Sequence, residues 1–299
     1  MKSKVYFTKE ISPEKVVEMY RLLGIELPGK VAVKVHSGEK GNQNFLRPEF
    51  WKPMVDAVNG TIVECNTAYG KKFGGGVRDY TDEHWQLIEY HGWKQTFPDK
   101  IDIMDAEGPD LIWPVPGGKV LKENRVGKNI LNYDSMLVLA HFKGHPMGGY
   151  GGALKQLSIG CASREGKALI HSGGATSSNL DAWDMHAEQD RFCEAMADAA
   201  STVAKHFAGK IAYINVMKNL SVDCDCCSPA EDPCMADIGI LASLDPIAID
   251  QACIDKIYAS DDPGRAHFVE RVESRHGVHT IEAAAELDFG TREYELIEV

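Results

Sequence analysis

The densest chemistry in the chain lies at Ser221–Pro229, S-V-D-C-D-C-C-S-P. Cys224 and Cys227 stand at the C-x-x-C spacing that lets two thiolates reach one metal ion from a tight turn. Cys226 adds a third sulfur, and Cys234 follows shortly after as a candidate fourth. Asp223 and Asp225 alternate with the thiols. A carboxylate beside a thiol disfavours the thiolate by like-charge repulsion unless a cation offsets it. The cluster therefore makes most electrostatic sense around a metal, with Cys224, Cys226 and Cys227 as ligands. A redox dithiol, or thiols that are merely buried, are the competing readings of the same residues.

A second constellation is H-F-K-G-H-P-M-G-G-Y-G-G-A-L-K-Q, His141–Gln156. It follows an apolar strand, which puts His141 and His145 at the carboxyl edge of a sheet, where ligands of open α/β proteins bind. Gly149, Gly151 and Gly152 let backbone N–H groups approach an anion, and Lys155 adds a positive charge in the next turn. This is the pattern of a loop that holds a small anionic substrate, with His141 or His145 as general acid or base. It matches neither G-x-x-x-x-G-K-[ST] nor G-x-G-x-x-G, so a nucleotide loop is not indicated. The competing reading is a strand-to-helix turn that needs its glycines for geometry alone. G-x-S-x-G and H-E-x-x-H motifs are both missing.

Three further stretches are weaker. Cys161 and His171 flank a run of small residues, and alone each is better read as a core or surface residue. Val35–Asn42 offers His36, Glu39, Lys40 and Asn42 in a polar loop after a strand. Asp245, followed by Pro246, reads as the cap of a helix.

The elements that must position these residues alternate between β-branched runs and helical patterns. That alternation predicts an α/β fold, a mostly parallel sheet covered by helices on both faces in a layered sandwich. Strands are expected at Lys4–Phe7, Lys30–His36, Thr61–Asn66, Ile101–Met104, Ser135–Phe142, Ile211–Met217 and Ile238–Ala242. Helices are expected from Ser12 to Gly24, over Pro48–Asn59, Ile247–Tyr258 and Arg265–His276. The longest is expected over Asp181–Phe207, where Trp183, Phe192, Met196, Ala199, Val203 and Phe207 recur at helical spacing. Nothing marks a linker, so one domain over residues 1–299 is expected, with a surface excursion over 172–180.

At −12 net charge, with no cluster of Lys and Arg, a nucleic-acid partner is not expected. The start lacks the apolar core of a secretory signal, and no run is long enough to span a bilayer, so a soluble, cytoplasmic protein is expected. Eight cysteines in a reducing compartment leave metal ligation, catalysis or burial as their uses.

Taken in order, these segments resemble the domain of unknown function 362 family, described as uncharacterised Fe–S centre proteins. The resemblance runs from KVYFT through HSGEKGNQNFLRP, ECNTAYG, AHFKGHPMGGYGGALKQLSIGCASREGK, CDCC and DIGILASLDPIAIDQA to REYELIEV. It implies an α/β core and an iron–sulfur cluster or a single Fe or Zn ion, with no assigned reaction; together with the crowded thiols it leads us to expect a redox protein or oxidoreductase component. It also implies that His141, His145, Lys155, Cys161, His171, Cys224, Cys226 and Cys227 lie in motifs of the family. Many members insert a ferredoxin module after the position of His171. This chain carries the short SGGATSSN there instead, which suggests a separate ferredoxin-type partner as another reading.

Overall fold

The computed structural model describes residues 2–70, 76–108 and 110–299. The chain opens with β1 (Ser3–Thr8), α1 (Pro13–Leu22), β2 (Val31–Lys34), α2 (Pro48–Ala57) and β3 (Thr61–Glu64). α3 (Thr81–Tyr90), α4 (Trp93–Thr96), β4 (Ile101–Ile103) and a hairpin of β5 (Leu111–Pro114) and β6 (Glu123–Val126) follow. Next come β7 (Ser135–His141), a small hairpin of β8 (Lys143–His145) and β9 (Gly149–Gly151), α5 (Ala153–Leu157), α6 (Arg164–His171) and α7 (Gln189–His206). β10 (Ile211–Met217), β11 (Gly239–Ser243), α8 (Pro246–Tyr258), α9 (Arg265–Ser274), α10 (Gly277–Ala285) and β12 (Tyr294–Glu298) complete the order.

Eight strands form one sheet in the order β12-β1-β11-β10-β7-β2-β3-β4. Only β11 runs against its neighbours; the other pairings are parallel. Strands β7 and β10 are buried along their whole length, as strands covered on both faces must be. Their side chains alternate between two cores. Leu137, Leu139, Ala212 and Ile214 pack with Val16, Met19, Trp51 and Met54 of α1 and α2. Met136, Val138 and Tyr213 pack with α5, α7, α8, α9 and α10 on the other face. The layered, mostly parallel α/β sandwich is thus as the sequence predicts.

Local chemistry sets the element ends. Ser12 Oγ accepts from Lys15 N at 3.1 Å and Pro13 starts α1, while Gly24 beyond its end has φ +63°. Asp245 Oδ1 accepts from Ile247 N and Ala248 N at 2.9 and 3.0 Å, capping α8 as expected. Its other oxygen accepts from Ser3 Oγ at 2.7 Å and Thr291 N at 2.9 Å, which ties both ends of the chain to one carboxylate.

One element differs from expectation. The helix expected over Asp181–Phe207 begins only at Gln189, and residues 181–185 form turns. Trp183 shares the helical spacing but packs on Tyr69 and His171, at 6.0 and 5.2 Å between ring centroids.

From β2 the chain steps outward to β3 and β4; from β7 it steps the other way to β10. The reversal between β2 and β7 leaves a crevice at the carboxyl ends of these strands.

Candidate functional site

A cleft of about 300 Å³ opens at that reversal. Lys34 and His36 reach it from the end of β2, Glu64, Cys65 and Thr67 from the end of β3, and Lys143 and His145 from β8. Gly151, Gly152 and Lys155 line it from β9 and α5, and Cys226 and Cys227 from the loop after β10. His171 and Trp183 form part of the wall.

The cysteine loop is shaped by a residue far away in sequence. Asn42 Nδ2 donates to the carbonyls of Cys224 and Cys227 at 3.2 and 2.8 Å. Cys227 N in turn donates to Cys224 O at 2.9 Å, closing a tight turn. Tyr69 Oη donates to Cys226 O at 3.0 Å. One ligand atom each from His36, Cys224 and Cys226 lies within 4.8 Å of the other two, so this group is able to share one metal ion. Cys227 lines the cleft outside that trio. Cys234 Sγ donates to Leu220 O at 3.4 Å, and Cys234 is not part of the cleft wall.

The acidic residues between the thiols do not require a metal to balance them, contrary to the electrostatic expectation. Asp225, 1% exposed, sits 2.8 Å from Lys143 Nζ and 2.9 Å from His141 Nδ1. Asp223 pairs with Arg271 at 2.9 Å. Burial alone would raise the Asp225 carboxyl, but His141 and Lys143 hold it well below the usual carboxylate range. The counter-ions belong to the protein. Burial, with Cys226 alongside, pushes the Cys224 thiol up. Contact with Cys224 pulls Cys226 down, yet Cys227 and burial together leave it raised.

His141 does not line the cleft. Its Nδ1 faces Asp225 and its Nε2 faces the Lys218 carbonyl at 2.5 Å, so both ring nitrogens are engaged in anchoring the loops. His145 does line it. Its Nδ1 accepts from Gly148 N at 2.9 Å and Met147 N at 3.2 Å. That leaves the proton of the neutral ring on Nε2, 3.7 Å from Cys226 Sγ. Burial, reinforced by Lys155, lowers the His145 pKa to about 4, so the ring is neutral near pH 7. His36 is arranged alike: Gly38 N donates to its Nδ1 at 3.1 Å, and burial lowers its pKa well below 6.5. His171 is stacked on Phe192 at 4.8 Å, is lowered to about 3 by burial, and its Nδ1 has no hydrogen-bond partner.

The glycine-rich segment is only partly a ligand loop. A side chain on Gly149, at φ +78°, would meet Gly277 Cα at 2.8 Å, so this glycine serves the packing of α10 and lies outside the cleft wall. The first amides of α5, Ala153 N and Leu154 N, donate to the buried Asp250 carboxylate at 2.8 and 2.9 Å. They are therefore not free for an external anion. Lys155 Nζ reaches the cleft and lies 3.9 Å from Cys224 Sγ. Cys161 is fully buried outside the lining, where burial pushes its thiol up to about 11, and its carbonyl accepts from Cys65 Sγ at 3.5 Å.

Several cleft residues escape a reading of motifs. Lys34 Nζ is 2.5 Å from Glu64 Oε2, and Arg78 bridges Glu39 at 3.1 Å and Glu64 at 3.9 Å, all buried. Burial would raise Glu64, but Lys34 and Arg78 bring it down to about 2. One signal was present: a lysine in the middle of the strand-like run KVAVKVH has no solvent to reach unless a partner or a cleft receives it.

A doubly covered, mostly parallel sheet with thiols, lysines and imidazoles around its strand-order reversal defines a layered α/β protein with a polar-lined crevice at that reversal. The chain belongs to the DUF362 family, a domain of unknown function that matches residues 31–255. No curated protein matches the chain. Among solved structures, it is similar to the lactate racemase apoprotein from Thermoanaerobacterium thermosaccharolyticum, with 15% identity and TM-score 0.40, covering 71% of this chain and 50% of that one. It is also similar to a Thermotoga maritima protein solved by a structural genomics consortium, with 10% identity and TM-score 0.44, covering 92% of this chain and 59% of that one. The chain thus spans half to three fifths of those structures. Among the described residues no helix is long and apolar enough to cross a membrane.

Proposed function

We propose that this is a metal-binding protein in which His36, Cys224 and Cys226 hold one ion facing a cleft that receives a small anionic substrate. The observation that carries the reading is the mutual approach of those three ligand atoms within 4.8 Å at the wall of a cleft. Two thiolates and one imidazole are the protein ligands of a catalytic, open zinc site, and they suit iron as well. We favour a single ion over an iron–sulfur cluster, because common clusters take four thiolates and Cys234 is turned to the Leu220 carbonyl. An ion held there supplies Lewis-acid polarisation to a bound oxygen ligand. The chain's own residues do the rest. Lys155 attracts the anion, His145 offers an Nε2 proton donor, and the Lys34–Glu64–Arg78–Glu39 network fixes the cleft wall.

Anaerobic purification followed by elemental analysis tests this. Near-stoichiometric zinc or iron in the wild type, lost in Cys224→Ser, is the expected result. Folded protein free of both metals would end the reading.

The Gly38 hydrogen bond to His36 supports a second reading. It leaves a proton on the other ring nitrogen, which suits an N–H donor to a thiolate better than a metal ligand. Cys224 and Cys226 would then act as a redox dithiol. They would form an S–S bond while two electrons and two protons pass to a small disulfide, which is cleaved to two thiols. Its mark is a Cys224–Cys226 disulfide formed by oxidised glutathione in metal-free protein and reversed by dithiothreitol. Peptide mapping that finds both thiols still reduced would exclude it.

A further inference from the structure

We infer that the cleft binds a monoanionic carboxylate, with Lys155 as its counter-ion and Arg78 as a second donor. The inference deepens the substrate half of the preceding reading and is independent of the metal. Among the described residues five cations line the cleft: Lys34, Arg78, Lys143, Lys155 and Lys167. Three of them are answered at close range, Lys34 by Glu64 at 2.5 Å, Arg78 by Glu39 at 3.1 Å and Lys143 by Asp225 at 2.8 Å. Lys167 donates to the Ala162 carbonyl at 2.6 Å and feels the Asp105 carboxylate. Lys155 is different. Its one hydrogen-bond-range contact among the described residues is Cys224 Sγ at 3.9 Å.

Among the described residues the charge left over is therefore a single positive one, that of Lys155. A monoanion matches this residue of charge; a phosphate dianion would bring one negative charge too many into a largely enclosed site.

A second observation points to the same ligand. Arg78 is 2% exposed and lines the cleft, and its Nη2 has no hydrogen-bond partner among the described residues. A buried guanidinium nitrogen without an acceptor is costly unless a ligand supplies one. Because Nε is committed to Glu39, Arg78 offers a ligand the single donor Nη2 and not a full fork. His145, whose Nδ1 accepts from Gly148 N, adds its Nε2 side to the cleft lining as a further donor. Ala68, Met147, Ile159 and Trp183 add apolar surface to the lining, which suits a short carbon body. A volume of about 300 Å³ is at the lower end for small-molecule sites.

The test uses the full chain, as purified and after EDTA treatment, with its metal content measured on the same samples. Butyrate and benzoate are the probes, butyramide and benzamide their uncharged counterparts, and inorganic phosphate the dianion. The expected result is that a carboxylate raises Tm and binds by calorimetry while the amides and phosphate do not. Lys155→Met should lose roughly tenfold or more in affinity, with fold and metal content kept. Arg78→Lys, which keeps the charge paired with Glu39, should weaken binding less. Three outcomes would overturn the inference: folded protein that takes up neither carboxylate, phosphate bound more tightly than both, or Lys155→Met binding as the wild type does. Carboxylate binding by anaerobically purified protein that carries no metal before any EDTA treatment would leave it standing while sinking the metal site.

Discussion

Lys143 Nζ lies 2.8 Å from the carboxylate of Asp225, both buried beneath the cysteine turn. The alternation of Asp and Cys thus brings its own cation from β8, and His141 completes the set from the end of β7.

Removing that carboxylate should therefore be costly. Asp225→Asn leaves Lys143 buried beside a neutral group, and a loss of about 3–5 kcal/mol in urea unfolding is expected. Asp223→Asn, at the more open Arg271 pair, should lose less than about 1 kcal/mol. Equal losses at the two sites would contradict this account.

The two adjacent cysteines should part company in metal binding. Cys226 belongs to the trio with His36 and Cys224, whereas Cys227 does not. Cys226→Ser is expected to abolish bound metal and Cys227→Ser to keep most of it, read by elemental analysis of anaerobically prepared protein. The reverse pattern would move the site to the C-x-x-C pair.

Asn42→Ala should loosen the thiols without touching them. The variant takes a donor from two carbonyls of the cysteine turn, Cys224 O keeping only Cys227 N, at about 1–3 kcal/mol. The more telling measurement is the rate at which a thiol reagent modifies Cys226 and Cys227, which should rise. An unchanged rate would show that the turn holds its shape unaided.

Acid should weaken the fold from pH 6.5 downward. His84 and His171 are held to about 3 and His145 to about 4, against 6.5 when unperturbed, with burial the main cause in each. The unfolded chain takes up protons that the folded chain refuses. Stability present above pH 6.5 is then lost toward pH 4, by up to about 1.4 kcal/mol per pH unit for each histidine. Asp105 and Asp250, raised by burial from 3.8 to about 6, act in the opposite sense below pH 6 and offset part of the loss. Urea unfolding at about pH 7.5 and about pH 5 should show the decline, and His84→Gln should make it shallower. A stability that rises toward pH 5 would refute the assignment.

The strands were legible because burial on both faces demands unbroken apolar runs. SMLVLAH and IAYINVM allow few other structures, and Ser12 and Asp245 announce the helices they cap. Trp183 was misplaced because its spacing from Phe192 is helical by coincidence. The cleft wall, not α7, uses its ring. At the site, Cys226, Cys227, His145 and Lys155 were visible from their crowding or their place after a strand, and all four line the cleft, whereas Cys161, Cys224 and Cys234 do not. Arg78, Glu64 and Lys143 were not, since a lone charge acquires meaning only through a partner supplied by another strand. The amides of α5 misled for the same reason: Asp250, which takes them, lies nearly a hundred residues onward.

The grip of Asn42 on the cysteine turn has a consequence for how such a site can change over time. The clasp joins a loop following β2 to one following β10, segments on opposite sides of the reversal in strand order. Neither piece carries the site as a portable cassette. Recombination that exchanged the thiol segment alone would deliver the sulfurs without the hand that shapes them, so the two segments must be inherited together.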